Sequence, residues 1–379
     1  MENVIDYIKW RGDLPIGPEF PINEIDAMIF ARLSYLRYEK IDFVDYETIG
    51  SVARRLKRLD DKVFLRAGDK DLVYVVGDSN RFKNIKLTDF VQNNNKEIEK
   101  QFGAITIHIS KDEMFISYIG TDSTLNGWKE DFNMAFMSDV PCQIDGKNYL
   151  ERIASKFPNK RIIVGGHSKG GNVAIYSSYT VSKSIQDRIE KVYNYDGPGF
   201  NEEFINKYCG LEIANRIETF LPQDSIIGRT LNHKEKITVC LSNEKGLQEH
   251  DVYSWEVTTD KIVKVEKNTE VSEDIKNTLN NWLTNTTPEQ RKIFVDALFE
   301  LLYSTEKNTL KDISRNLGFS MTKIFKKYRE IEVEDKEMLT EMAKLFATSY
   351  WNVVKEKEMD KFDKKKEELT TRYLNKPSY

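Results

Sequence analysis

Long apolar runs, paired cysteines and an excess of charge of one sign are all missing from this chain of 379 residues. No stretch approaches the roughly 20 consecutive apolar residues that span a bilayer. The opening segment, MENVIDYIKWRGDLP, carries acidic residues and Trp10 where a secretory signal needs a basic start and an apolar core. Cys142, Cys209 and Cys240 are odd in number and far apart, which argues against a disulfide frame or a zinc site. Basic and acidic side chains nearly cancel, 57 against 61 for a net charge of −4. No global field therefore draws the chain to nucleic acid or to an anionic membrane. These absences predict a soluble, cytoplasmic protein, and one of this length buries a sizeable core.

What is present centres on Arg161–Tyr179, RIIVGGHSKGGNVAIYSSY. An apolar run predicts a strand, the glycines a sharp turn, and the residues from Asn172 a helix. Gly166-His167-Ser168-Lys169-Gly170 fits the G-x-S-x-G nucleophile elbow, in which the serine hydroxyl stands clear of the sheet on a strained turn. The glycines have a steric reason, because a Cβ two residues either side of the serine would collide as strand and helix close on each other. A glycine-rich strand-to-helix turn can also cradle phosphate, but neither the P-loop spacing nor G-x-G-x-x-G is present.

Strands and helices alternate around this elbow. Helices are expected over 22–38, with Asn23 as N-cap, and over 48–59, whereas 71–92 is ambiguous. Ala104–Ile109 and Met114–Ile119 read as a hairpin, and further strands follow at 191–195, 216–221 and 237–241, with a terminal hairpin at 255–265. His108 lies within a strand and is assigned a packing role. The pattern predicts an α/β class protein, a mostly parallel sheet with helices on its faces.

A serine hydroxyl needs a base, and the base a carboxylate that fixes its tautomer. With only four histidines, each can be weighed. His250 follows the elbow in the Ser, acid, His order of this fold, and His233 is the runner-up. Asp196 and Asp224 each end a strand between Ser168 and His250, where functional groups of open α/β sheets collect. Asp196 precedes Gly197-Pro198-Gly199, for which a structural turn is a sufficient explanation, so Asp224 is the favoured acid and Asp196 the alternative. For the oxyanion hole, the turn after Gly120 offers the N–H of Thr121, paired with that of Lys169. A helix capped by Asp122 or Ser123 is the structural alternative for that turn.

The segments GTDSTLNGWKEDFNMAF, GGHSKGGNVA, YNYDGPGF, LPQDSIIG and QEHDVYSWEV together resemble an uncharacterised family of bacterial proteins related to class 3 lipases, catalogued as a domain of unknown function. The resemblance runs from about the N-terminus to the end of the α/β part. It implies an α/β-hydrolase fold, with Ser168, Asp224 and His250 matching the lipase-type triad and Thr121 the oxyanion residue, and it supports Asp224 over Asp196. Class 3 lipases usually carry an arginine before the glycine of that turn, where this chain has Ile119.

Beyond Glu266 the texture becomes helical, so residues 1–266 are read as the lipase-like domain and 267–379 as a helical cap or docking module. Ile275, Leu279 and Trp282 share one face, Thr287-Pro288-Glu289-Gln290 is a strong helix start, and Met338, Met342, Leu345, Phe346 and Trp351 mark a further helix. The tail from Lys355 to Asn375 is densely charged. Residues 312–323 superficially resemble a helix-turn-helix, but the acids Glu330, Glu332, Glu334 and Asp335 oppose phosphate contact. The expectation is a serine esterase of lipase type, acting on a small-molecule or lipid ester without metal or cofactor. No nucleic-acid partner is expected and membrane contact is not indicated. The rival is a non-catalytic binding protein on the same fold.

Overall fold

The computed structural model describes residues 2–341 and 344, except 123, 138, 209 and 334. The expected roles of Ser123, Cys209, Glu334, Met342, Leu345, Phe346, Trp351 and the charged tail fall outside these, as does the side chain of Ile275.

Eight strands form one sheet in chain order: β1 (Glu47–Thr48), β2 (Lys86–Asn95), β3 (Lys100–His108), β4 (Glu113–Tyr118), β5 (Arg161–His167), β6 (Ile189–Tyr195), β7 (Ile217–Pro222) and β8 (Lys236–Cys240). Strands β1 to β4 pair antiparallel, and β4 to β8 pair parallel. The helices are α1 (Val4–Arg11), α2 (Glu24–Leu33), α3 (Ile49–Leu56), α4 (Ala67–Asp78), α5 (Leu125–Asn133), α6 (Pro141–Lys156), α7 (Lys169–Thr180), α8 (Lys183–Gln186), α9 (Glu202–Tyr208), α10 (Glu270–Thr284), α11 (Pro288–Tyr303), α12 (Leu310–Arg315) and α13 (Leu317–Glu330).

Strand alternation splits the core in two. Phe115 and Ile163 face one side, where they meet Phe30, Val73 and Trp255. Met114, Ile116, Ile162 and Val164 face the other, against Leu150 and Ile153 of α6 and Val173 and Ala174 of α7. A mostly parallel sheet covered on both faces, with the sharp glycine-rich turn between β5 and α7, is the α/β-hydrolase arrangement. The ambiguous 71–92 stretch resolves into α4 and the start of β2. The expected hairpin at 255–265 is reduced to isolated bridges, Val257 to Ile262 among them. Asn23 caps α2 in a capping box, and Thr287 does the same for α11.

The start of α10 is tied to the loop after β7. Its N-cap Thr269 donates its hydroxyl to the Asp224 carboxylate, Ser272 donates to the Ser225 carbonyl at 2.7 Å, and Arg229 pairs with Glu273. α11 packs on α5 through Val295, Phe299 and Leu125, and Lys129 bridges to Asp296 at 2.8 Å. A single residue, Asn316, separates α12 from α13, shorter than the turn of a helix-turn-helix.

Candidate active site

Sheet register brings two polar side chains to one edge. His167 pairs with Tyr195 across β5 and β6, so the next residues, Ser168 and Asp196, leave the sheet side by side. Both adopt the left-handed backbone region, at φ 59° for Ser168 and 52° for Asp196, while their N–H groups still reach the neighbouring strands. Ser168 donates to the Tyr195 carbonyl at 2.9 Å and Asp196 to that of Phe220 at 2.8 Å. The elbow glycines are required by contact. A Cβ on Gly166 would lie 2.3 Å from the carbonyl carbon of Gly170, and one on Gly170 would lie 2.2 Å from the carbonyl oxygen of Tyr118.

His250, at the end of a short 3-10 turn (Gly246–His250), completes a hydrogen-bonded chain. Its Nδ1 is 2.6 Å from Oδ2 of Asp196, and its Nε2 is 2.9 Å from Oγ of Ser168. A carboxylate can only accept, so Nδ1 carries the proton and Nε2 is left to accept from the serine. The other oxygen of Asp196 accepts from the Ser225 hydroxyl at 2.5 Å and the Gly228 N–H at 3.2 Å, which fixes the orientation of the buried carboxyl group toward His250.

The preference for Asp224 is therefore corrected: the acid that faces His250 is Asp196. The register gives the reason, because Tyr195 pairs with Phe220, which leaves Asp224 three residues further beyond the sheet edge than Asp196. Asp224 is engaged with Thr269, and its N–H donates to Glu249 at 2.6 Å. His233, the runner-up base, is bonded through its two ring nitrogens to Glu235 and the Gly228 carbonyl.

Thr121 follows Gly120, whose own Cβ would sit 3.0 Å from that of Ser168, and Lys169 opens α7. The turn is capped by Thr124, which accepts from Gly127, rather than by Asp122. In the absence of an arginine at Ile119, Gln101 donates to the Gly120 carbonyl at 3.2 Å and steadies the turn.

Three features were not foreseen. The Thr121 hydroxyl donates to Asp131 at 2.5 Å, and burial raises the pKa of Asp131 to about 6. The ammonium of Lys169 is sealed under the elbow, 2.8 Å from Glu130 and 3.6 Å from Asp131. Glu130 also accepts from the N–H groups of Gln101 and Cys142. The signal for this network was a lysine following Ser168, with two adjacent acids in an otherwise amphipathic helix. The third feature is His167, whose ring lies against that of His250, 4.6 Å between centroids.

A cavity of about 250 Å³ opens beside Ser168. Apart from Lys169 and Asp131 its walls are mostly apolar: Trp128 and Phe132 of α5, Ile226 and Ile227 after β7, and Leu279, Trp282 and Leu283 of α10. The site as a whole joins a hydroxyl, a base with a fixed tautomer and an apolar recess, the parts acyl transfer requires.

No curated protein sequence matches the chain. Among solved structures it is similar to a Lip2 lipase from Yarrowia lipolytica at 14% identity, over 54% of this chain and 80% of that one, with a TM-score of 0.30. Lipase II from Rhizopus niveus is similar at 11%, over 64% and 83%, with a TM-score of 0.36. A Rhizomucor miehei lipase in a propeptide complex is similar at 12%, over 57% and 68%, also at 0.36. The Mbeg1-like family model matches residues 76–300, more than half of the chain, which therefore belongs to the Mbeg1-like family.

Proposed function

We propose that the protein is a serine hydrolase that cleaves carboxylic esters, with lipid acyl esters among its candidate substrates. The observation that carries this reading is the continuous chain Ser168 Oγ, His250 Nε2, His250 Nδ1, Asp196 Oδ2, with links of 2.9 and 2.6 Å on a strained elbow. In this mechanism Ser168 attacks the acyl carbonyl as its proton passes to Nε2 of His250, and Asp196 stabilises the imidazolium. The N–H groups of Thr121 and Lys169 receive the developing oxyanion. Collapse expels the alcohol, which takes the proton from His250 and leaves an acyl-serine. Water then attacks, gives a proton to His250 and releases the acid, and the proton returns to Ser168.

The buried network beneath the elbow supports the oxyanion assignment. Asp131 holds the Thr121 hydroxyl, and Glu130 holds the Lys169 side chain, so both segments that carry the N–H groups are fixed before substrate arrives. Fluorophosphonate labelling followed by intact-mass analysis tests the reading. A single adduct in the wild type and none in Ser168→Ala is expected. A folded wild-type protein without an adduct would overturn it and favour the non-catalytic binding protein.

A further inference from the structure

We infer that α10 forms part of the substrate site and limits the acyl group to a chain of about ten carbons, so that the helical segment after the sheet determines specificity. The inference rests on the hydrolase reading and deepens it. Leu279, Trp282 and Leu283 occupy one face of α10 at i, i+3 and i+4 spacing, and all three line the cavity that adjoins Ser168. The ring of Trp282 is backed by Phe294 of α11, 5.9 Å between centroids, so this wall is braced from behind.

Size sets the limit. A dry apolar cavity of about 150 Å³ takes up benzene, so one of about 250 Å³ holds on the order of ten carbons by the same measure. Longer chains must leave their ends outside the recess and gain nothing further from it. The wall also has a fixed position, because the start of α10 is bonded to the loop that carries Ile226 and Ile227, through Thr269 to Asp224, Ser272 to the Ser225 carbonyl, and Glu273 to Arg229. Asp224 thus acts on α10, and through it on the shape of the recess.

The test uses the full chain with p-nitrophenyl esters from butyrate to palmitate, beside fluorophosphonate labelling of the same samples. In the wild type, kcat/KM is expected to rise about fourfold per methylene while the chain still enters the recess and to level off or fall beyond about ten carbons. Leu279→Trp narrows the recess and moves the optimum to shorter chains, and Trp282→Ala widens it and moves the optimum to longer ones. Shifts in opposite directions cannot both arise from loss of folding. Labelled protein whose chain-length profile is flat, or is the same in both variants, would overturn the inference and leave the hydrolase reading standing. Absence of both labelling and turnover in folded protein would overturn the two together.

Discussion

Nε2 of His167 lies 2.7 Å from the backbone carbonyl oxygen of His250, so the residue just before the proposed nucleophile holds the main chain of the proposed base. A carbonyl can only accept, which places the His167 proton on Nε2 and leaves Nδ1 for the Tyr35 hydroxyl at 3.1 Å. Burial, with the neighbouring His250 and Arg32 adding to it, lowers the pKa of His167 well below its ordinary value. The ring is therefore neutral at pH 7 and sets no second positive charge against the imidazolium of the proposed mechanism.

This relationship predicts that His167→Leu lowers kcat about ten- to a hundredfold, the scale of a misplaced reacting group, with a smaller change in KM. His167→Gln, whose amide can donate the same bond, should recover part of the loss. Steady-state kinetics with a short p-nitrophenyl ester checks both variants. Equal losses in the two would mean that the hydrogen bond to His250 is not what matters.

A second prediction concerns the ion pair under the elbow. Burial disfavours the Lys169 ammonium, but Glu130 and Asp131 outweigh it and raise its pKa. Lys169→Met leaves Glu130 buried without its cation and should cost about 3–5 kcal/mol of stability. Adding Glu130→Gln removes the stranded charge and should restore part of it. Urea unfolding of the two variants beside wild type measures the difference.

Glu249, next to His250, sets a pH dependence. Burial raises its pKa from 4.5 to about 7; the hydrogen bond from the Asp224 N–H works against the rise, and the charges of the Asp224 and Asp196 carboxylates add to it. Between those values the native state binds a proton that the unfolded chain has released, so stability falls as pH rises through that interval. Glu249→Gln should flatten the fall and make the protein more stable at pH 8, by up to about 3 kcal/mol for a shift of this size. Thermal unfolding at a series of pH values between 4 and 8 tests it, and an unchanged slope in the variant would count against it.

The elbow and the sheet were legible in the sequence because they depend on local rules. Glycines at 166 and 170 answer to backbone contact, and strand periodicity gave β3 to β8 to within a few residues. The choice between Asp196 and Asp224 was not legible, since both end a strand and only the pairing of β5 with β6 and β7 decides which one meets His250. Reading Gly197-Pro198-Gly199 as a sufficient account of its turn hid the carboxylate that begins it. Glu130 and Lys169 are 39 positions apart, and nothing local in either segment announces the other. The apolar face of α10 was visible, but its place over Ser168 follows from tertiary contacts such as Thr269 to Asp224.

The central claim, that Ser168, His250 and Asp196 act as one unit, is tested most directly by kcat for p-nitrophenyl acetate in Asp196→Asn beside Asp224→Asn. Asp196→Asn should lower kcat by about 10⁴-fold, the loss expected when a triad carboxylate can no longer hold the imidazole tautomer, whereas Asp224→Asn should retain most of the turnover. Near-normal turnover in Asp196→Asn together with collapse in Asp224→Asn would contradict the account.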